Sequence, residues 1–381
     1  MKQKLTAMEL DSTGPGIAKV NGPGHMNPIS AEGFTRVSHP HSIWSEIPSS
    51  ELAGWCLRLA EEESASIRQF PLFNERFRRK SMKPFYLRYA NNRGKVTGFA
   101  CVISFGFPFL RCGAVIDGPI ALDPWDDSGE EVRQLVSWLR SSGFIFVRCS
   151  HRDQTMIDSL AKVSEAVVAN PLPFIPRYGG DLAVDLGGDD TKLLAGFQQI
   201  ARQEIRRAAE AGCVIKKSAD LNEFRKLWPV YAARARKKHV RLGSFQDYES
   251  MFKLSPRSDI VRIYNAYYGE KLAYSSVFLR EQSMVHHTLG ALDTEALGGN
   301  PTPSCLLHWY AMRDYRDLGC RWYNLGGPSG PVYAFKRKFR PSQVGSPTSV
   351  TLVLRPLLYR VWSRSILPVL KRSPALNRPQ G

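Results

Sequence analysis

An ammonium group that follows a glycine-rich turn is the strongest chemical signal in the sequence. Lys336 comes shortly after Gly326 and Gly327, in the stretch 321–339, which reads RWYNLGGPSGPVYAFKRKF. Glycine allows a positive φ and a close approach of the backbone to a ligand, so such a turn can place a cation at the mouth of a cleft. A cation there can bind a phosphate or stabilise negative charge that develops on an attacked carbonyl. The other interpretation of these residues is a hairpin turn followed by a solvated basic face.

The positive charge of the chain is concentrated in two segments. The 381 residues carry 52 Lys and Arg against 35 Asp and Glu, a net charge of +17. Twelve cations against four acids lie between positions 202 and 241, and ten cations with no acid lie from position 336 to the end. Charge of this kind favours an anionic partner such as a nucleic acid, a nucleotide or an acidic lipid.

Cysteine usage and hydropathy narrow the class of protein. The seven cysteines are scattered and form no CxxC pair, which favours a reducing compartment and argues against a zinc or disulfide framework. No stretch reaches the ~18 uninterrupted apolar residues that a membrane-spanning helix needs. The N-terminus has no apolar segment typical of a secretion signal. We therefore expect a cytoplasmic protein with no metal site and no bound cofactor.

The pattern of elements predicts an N-terminal arm and two domains. Residues 1–40 lack apolar periodicity and are rich in Gly, Pro, Ser and His, which is typical of a disordered arm. In 41–178 we expect helices around a hairpin and two further strands, closed by the connector PLPFIP. In 179–345 we expect a strand, one helix from Asp190 to Gly212, further strands, and a helix capped by Thr302 that leads into the glycine turn.

The basic segment 346–381 mixes apolar and basic residues and is interrupted by Pro356 and Pro368. We expect a helix docked on the first domain. A basic amphipathic segment can also lie on an anionic membrane surface, so peripheral contact with the inner face of a membrane is a further expectation.

The order of strands and helices in both domains resembles the acetyltransferase-like (GNAT) fold, present twice. The resemblance implies an α/β (α+β) protein. Each of its two GNAT-like domains would be a mixed, mostly antiparallel sheet flanked by helices.

The second domain also resembles the FemABX family of non-ribosomal peptidyltransferases, through an ordered set of motifs. The segment DLAVDLGGDDTKLLAGFQQIARQEIRRAAEAGCVI is similar to a strand of the family, its "L…F….R..IR.AE..G" helix and the next strand. Further along, RWYNLGG and VYAFKRKF are similar to the family's "(Y/F)DLGG" and "LY.FK..F" signatures. Members of the family move an amino acid from aminoacyl-tRNA onto the stem peptide of peptidoglycan precursors. The resemblance covers about residues 179–340, with weaker agreement over 65–150 in the segments RQFPLFNERFRR and VIDGPI.

The resemblance implies a function and a set of site residues. The donor would be aminoacyl-tRNA, and the acceptor an amine of a peptidoglycan precursor or related cell-envelope molecule. Lys336, with Phe335 packed beside it, would bind phosphate or stabilise the oxyanion. The implied substrate-binding residues are Arg241, Tyr248, His286, His287, Gly326, Gly327 and Tyr333. The implied contacts with tRNA phosphates are Arg202, Arg206, Arg207 and Lys216, each with a solvated surface role as the alternative. One of His286 and His287 could accept a proton, with a structural role expected for the other.

Some features depart from the family pattern. Asn324 stands where the family usually has Asp, and the two histidines occupy a strand that is usually apolar and aromatic. The long helical arm that some members insert in the second domain is absent, so the chain would be of the compact, arm-less type. Arg76, Arg78 and Arg79 are all candidates for a substrate-contacting cation in the first domain.

Two other functions compete with this one. A GNAT-type acyl-CoA N-acyltransferase acting on a cell-envelope or small amine substrate would need a glycine-rich pyrophosphate loop before a helix. The segment LGGNPTPS lacks that spacing and carries prolines where N–H donors are needed. A nucleic-acid-binding module comes third, because no helix-turn-helix, zinc finger or RNP motif is present.

Overall fold

The computed structural model describes ten segments of the chain: 43–78, 82–107, 110–125, 129–163, 165–167, 180–237, 244–255, 257–328, 332–345 and 348–368. The predicted arm at 1–40 and the connector PLPFIP lie outside these segments. No helix in the described segments is long and apolar enough to cross a membrane.

Eight strands form the first sheet. They are β1 (Ile43–Glu46), β2 (Met82–Ala90), β3 (Val96–Phe107), β4 (Leu110–Ile116), β5 (Ile120–Ala121), β6 (Phe144–His151), β7 (Glu165–Val167) and, from the end of the chain, the strand Thr348–Val353. The helices of this half are α1 (Leu52–Ala60), α2 (Pro71–Asn74), α3 (Glu130–Ser141) and α4 (Gln154–Val163). The strand order is β1-β2-β3-β4-β6, then Thr348–Val353, then β7, with β5 paired to β3.

Seven strands form the second sheet. They are β8 (Asp181–Asp185), β9 (Val214–Ser218), β10 (Val261–Tyr268), β11 (Lys271–Arg280), β12 (Met284–Leu292), β13 (Trp322–Asn324) and β14 (Ser342–Val344). The strand Thr348–Val353 of the first sheet is β15. The helices are α5 (Asp190–Gly196), α6 (Gln199–Glu210), α7 (Leu221–Lys237), α8 (Phe245–Lys253), α9 (Ser304–Asp317) and α10 (Tyr333–Arg337), and α11 (Pro356–Val361) follows β15. The strand order is β14-β8-β13-β12-β11-β10-β9.

Both sheets are mixed and mostly antiparallel. In each, one pair of neighbours runs parallel: β4 with β6 in the first sheet and β12 with β13 in the second. The remaining ladders are antiparallel. The predicted fold class, two like-built α/β halves, is confirmed.

A shared apolar core joins the two halves. One cluster combines Trp55 and Phe99 of the first half with Phe224, Val277 and Leu289 of the second. Burial of large side chains at about 25 cal/mol per Å² is the main stabilising term in such an interface. The first half therefore supports the strands that carry the candidate site.

The structure differs from the sequence prediction at three elements. The helix expected from Asp190 to Gly212 is two helices, because Phe197 and Gln198 are extended. Their conformation lets the Phe197 ring pack edge-on against Phe339, and lets Gln198 N–H donate to the Lys338 carbonyl at 2.8 Å. The Thr302 cap was wrong: α9 begins at Ser304 after Pro303, with no side-chain cap.

The third difference concerns the basic segment after position 345. It begins with β15, which pairs antiparallel with β6 and β7 inside the first sheet. The helix expected there follows as α11 and does pack on the first half, through Trp362 against Phe146 at 4.6 Å between ring centroids. The chain therefore returns to the sheet in which it started.

Candidate active site

The parallel pair β12–β13 opens next to the glycine turn. The two strands pair at only three positions, from Met284 opposite Trp322 to His286 opposite Asn324. Beyond His286, no strand of the described segments pairs with this edge of β12, which continues to Leu292. The strands therefore part at His287, and the turn at Gly326 begins where they part.

Lys336 is held at this opening from the last turn of α10. Its side chain is 8 % exposed, and its ammonium donates to the Gly327 carbonyl at 2.8 Å. An ammonium has three N–H donors, so two remain for a ligand. Burial lowers the pKa of Lys336, and the negative charge of Asp181 opposes that shift. The site thus contains a positioned, mostly desolvated cation.

The two glycines of the turn are not equivalent. Gly326 has φ +78°, and a Cβ there would lie 3.6 Å from the Lys336 ammonium. Gly327 is not among the positive-φ glycines of the described segments, and a Cβ added to it would meet no atom within 4 Å. Only Gly326 needs to be glycine for conformational reasons.

We expect Gly326→Ala to destabilise the protein by about 1–2 kcal/mol, the cost of a left-handed conformation for a residue with a Cβ. Gly327→Ala is the matched control and should stay within about 0.5 kcal/mol of wild type. Urea unfolding of the two variants measures the difference. Equal losses in both variants would show that the backbone at Gly326 is not strained by a side chain.

A chain of hydrogen bonds fixes the turn from the other half of the molecule. The Asn324 side chain accepts from Gly326 N–H at 2.6 Å and donates to Asp181 at 2.8 Å. Arg68, in the 3-10 turn Ile67–Gln69 of the first half, donates to Asp181 at 2.9 Å. Each link is buried or nearly so, and charge-assisted hydrogen bonds of this kind are the strong ones. The conformation of the turn under Lys336 therefore depends on contacts between both halves.

Further charged residues surround this chain of hydrogen bonds where the two halves meet. Arg68 also pairs with Asp117 at 3.0 Å, and Arg152 lies 3.9 Å from Glu281. Burial raises the pKa of Glu281, but His286 and Arg152 outweigh it, so the pKa lies below its usual range. His286 is buried with its ring 3.1 Å from the Glu281 carboxylate. His286 thus belongs to the cluster of charged residues where the two halves meet.

His287, in contrast, lies on the Lys336 side. It is partly exposed, and its Nε2 is 3.3 Å from the Ser276 hydroxyl. Burial, and next the positive charge of Lys336, lower its pKa to about 4. Its ring packs edge-on against His308 at 4.7 Å, and His308 makes hydrogen bonds to the hydroxyls of Tyr274 and Tyr323. At neutral pH the imidazole beside Lys336 is therefore neutral.

These histidines predict that stability falls as the solution is acidified. The pKa of His287 drops from 6.5 to about 4 on folding, and burial also holds the pKa of His308 well below its usual range. The unfolded chain therefore binds protons first, and the stabilisation present above pH ~6.5 is lost progressively as the pH falls towards the folded values.

We expect the free energy of unfolding to fall by about 4 kcal/mol between pH 7 and pH 5, about 2 kcal/mol for each histidine. Urea titrations at pH 7, 6 and 5 measure this slope. In His287→Gln the slope should be visibly smaller, because one of the two groups no longer titrates. Identical slopes in variant and wild type would contradict a neutral, shifted His287.

Two further predicted residues lie near Lys336 on α10. Phe335 contacts the rings of His308 and Phe339 edge-on, so it anchors α10 to the core. Tyr333 is exposed on the first turn of α10, with the Arg337 guanidinium over its ring at 6.0 Å.

The remaining predicted residues lie elsewhere. Tyr248 is buried in an aromatic cluster with Phe224 and Trp228, so its environment is that of a core residue. Arg241 lies outside the described segments. The four predicted phosphate contacts lie on α6 and β9: Arg206, Arg207 and Lys216 are exposed, and Arg202 donates to carbonyls at the end of α5 and just after it.

Sequence reasoning missed the part of the site that the first half contributes. It named Arg76, Arg78 and Arg79 as candidate cations, but Arg78 pairs with its neighbour Glu75. Arg79 lies outside the described segments, and Arg68 is the cation of that region that reaches the glycine turn. The segment RQFPLFNERFRR contains Arg68, so the right segment was identified without the right residue.

A family comparison identifies the domain that contains this site. Residues 195–337 match the family model described as an acetyltransferase (GNAT) domain. That range includes the parallel strands β12 and β13, the glycine turn and Lys336. Together, the fold and the match show that the second half has the fold of an acetyltransferase (GNAT) domain. A comparison with curated proteins finds no match.

Solved structures are similar to most of the chain. FemX is similar over 84% of this chain and 99% of its own, with a TM-score of 0.65 and 11% identity. L-PGS from Bacillus licheniformis is similar over 84% of this chain and 98% of its own (TM-score 0.52, 12% identity). A conserved protein of unknown function from Bacteroides thetaiotaomicron VPI-5482 covers 82% of this chain (100% of its own), with a TM-score of 0.54 and 10% identity. The resemblance to the FemABX family is confirmed in the fold.

Proposed function

We propose that the protein is an aminoacyltransferase that moves an amino acid from aminoacyl-tRNA to an amine of a peptidoglycan precursor or related cell-envelope acceptor. The observation that carries the proposal is the enclosed Lys336 ammonium, held over the Gly326–Gly327 turn where β12 and β13 part. The motif VYAFKRKF, in which Lys336 lies, is also similar to a FemABX signature.

The chemical step needs charge stabilisation rather than a covalent enzyme intermediate. The acceptor amine attacks the ester carbonyl, its new C–N bond forms, and the C–O bond to the tRNA ribose breaks. Negative charge develops on the carbonyl oxygen in between. The two N–H donors of Lys336 that Gly327 does not use can stabilise that oxygen in a site from which water is mostly excluded.

His287 is the proposed acceptor for the proton that the attacking amine loses. It is neutral at pH 7, partly exposed and on the Lys336 side of β12, whereas His286 is buried against Glu281. A pKa of about 4 makes it a weak base, so its contribution should be smaller than that of Lys336.

The donor's phosphates would follow the basic surface of α6. Arg206 and Arg207 are exposed there, and α6 is tied to the site helix α10 by the ion pair of Glu204 with Lys338 at 2.6 Å. Cations that contact phosphates bind RNA without reading its sequence, in a salt-dependent manner. Lys216, on the edge strand β9, would extend this surface.

One observation favours a second candidate, an acyl-CoA N-acyltransferase with the same site. The family match is to an acetyltransferase domain, and charge stabilisation at Lys336 would serve a thioester as well as an ester. The two candidates differ in the donor and in the part of the surface that binds it.

The acyl donor that the protein uses distinguishes the two candidate functions. The full chain is incubated with a stem-peptide precursor and either a charged tRNA pool or acetyl-CoA, and the acceptor is analysed by mass spectrometry. We expect the mass of one amino acid to be added from charged tRNA, with ribonuclease treatment of the donor abolishing the product. Acetylation from acetyl-CoA alone would establish the second candidate and overturn the first. A product that forms equally well after ribonuclease treatment of the donor would also overturn the first.

A further inference from the structure

The last helix of the described segments is anchored on one face. α11 continues through the π-helical turn Trp362–Ile366. Tyr359 and Trp362 pack on Phe146 of the first sheet at 5.4 and 4.6 Å between ring centroids. The helix is therefore fixed to the protein by aromatic contacts and is part of the folded structure.

Large apolar side chains of α11 are exposed to solvent: Leu357 and Val361 lie on its outer side, and Leu358 lies at the margin, one turn before Trp362. Leu357 is 76 % exposed, Leu358 37 % and Val361 60 %. A single exposed leucine is common on protein surfaces. Three such residues within five positions of one anchored helix form a patch, and contiguous exposed apolar patches mark interaction sites.

Positive charges flank this patch. Arg355, Arg360 and Arg364 are exposed, and none of them pairs with a carboxylate in the described segments. From position 336 to the end the sequence has no acidic residue at all. Arg148, whose positive charge opposes the raised pKa of Tyr359, lies on the same side of the sheet. The surface thus combines exposed apolar groups with three exposed arginines.

We propose that this face of α11, formed by Leu357, Leu358, Val361 and the three arginines, docks on an anionic lipid bilayer. Apolar side chains flanked by arginines match a surface of anionic headgroups above an acyl layer. An RNA would bind the arginines but would gain nothing from exposed leucines. A purely apolar protein surface would bury the leucines but would not pair with the arginines. The proposal concerns where the protein is held and does not depend on the donor or the acceptor.

Vesicle sedimentation of the full chain tests the proposal. Phosphatidylcholine vesicles with and without phosphatidylglycerol are the probes. We expect binding only with phosphatidylglycerol, weakened by salt because exposed charges are screened. The double variants Leu357→Ser/Val361→Ser and Arg360→Gln/Arg364→Gln should each lower the partition coefficient about tenfold or more.

Two controls match these variants elsewhere on the surface. Val214→Ser removes an apolar side chain that is 52 % exposed on β9, and Arg206→Gln removes an exposed cation on α6. Both should bind vesicles as wild type does. Thermal melting of every variant shows that it is folded, and transfer in solution should be unchanged in all the α11 variants.

Three results would overturn the proposal. One is the absence of wild-type binding to anionic vesicles. A second is vesicle binding that depends on the arginines but not on Leu357 and Val361, which would show general attraction to polyanions. The third is a change of oligomeric state in Leu357→Ser/Val361→Ser by light scattering, which would identify a second copy of the chain as the occupant.

Discussion

Replacing Lys336 by methionine is expected to lower the rate of acyl transfer by a factor of about 10²–10³, or about 3–4 kcal/mol of transition-state stabilisation. Methionine keeps most of the side-chain volume and removes the charge and the donors. The loss should be in kcat more than in KM, because the charge it stabilises exists only in the transition state. The assay is the mass-spectrometric measurement of the modified acceptor under single-turnover conditions.

Arg337→Met is the matched control for this variant. Arg337 is the next residue of α10, but it is exposed and lies over the Tyr333 ring instead of at the turn. We expect wild-type transfer in this variant and unchanged unfolding curves in both. If Lys336→Met transfers as fast as Arg337→Met, the ammonium at 336 has no role in the chemical step.

Lys336 could be predicted from the sequence because the residues that identify it lie within a few positions of one another. Glycines next to each other, an aromatic pair and a cation within a few positions are enough to predict a turn that presents a charge. The sequence does not contain the distinction between the two glycines. Only Gly326 has φ > 0, and that follows from Asn324, which holds the Gly326 N–H from within β13.

The contribution of the first half could not be read from any local pattern. Arg68 and Asp181 are 113 positions apart, and their pairing depends on how the two halves meet. An arginine that begins a helical turn is indistinguishable, in sequence, from the exposed arginines around it. Its burial is decided by the shared core of Trp55, Phe99 and Phe224, which forms only when both sheets are present.

Two elements show how tertiary contacts override local periodicity. The apolar spacing across 190–212 fits one helix, yet Phe197 leaves the helix to pack against Trp309 and Phe339. The strand β15 lies about 200 positions from its partner β6, as in the pair Arg148–Ser349, and its neighbours in sequence are basic and rich in turn residues. At Phe197 and in β15, tertiary packing determines a backbone conformation that the local sequence does not.

Asn324→Asp is expected to be the most destabilising conservative substitution at the site. Asn324 is 2 % exposed, and its orientation is fixed by chemistry, since Asp181 can only accept and Gly326 N–H can only donate. An aspartate at 324 would keep the bond from Gly326 but place a second carboxylate against Asp181. Buried like charges of this kind raise the pKa of one of the two groups.

The size of the effect is limited by protonation. Neutralising one carboxyl at pH 7 costs about 1.4 kcal/mol for each pH unit above its usual pKa, so the loss should be about 2–4 kcal/mol. A raised folded pKa makes this deficit largest at high pH, and the deficit disappears as the pH falls towards the unfolded value of ~4. Urea unfolding at pH 7 and pH 5 should therefore show a large and a small difference from wild type.

The exchange variant Asp181→Asn/Asn324→Asp separates this cause from general damage to the site. In it an amide at 181 can donate to a carboxylate at 324, which can still accept from Gly326 N–H, and Arg68 keeps Asp117 as its partner. We expect the double variant to recover at least half of the stability that Asn324→Asp loses at pH 7, with a favourable coupling energy of about 1–3 kcal/mol. A double variant no more stable than Asn324→Asp would mean that the contact between positions 324 and 181 does not hold the turn on which Lys336 rests.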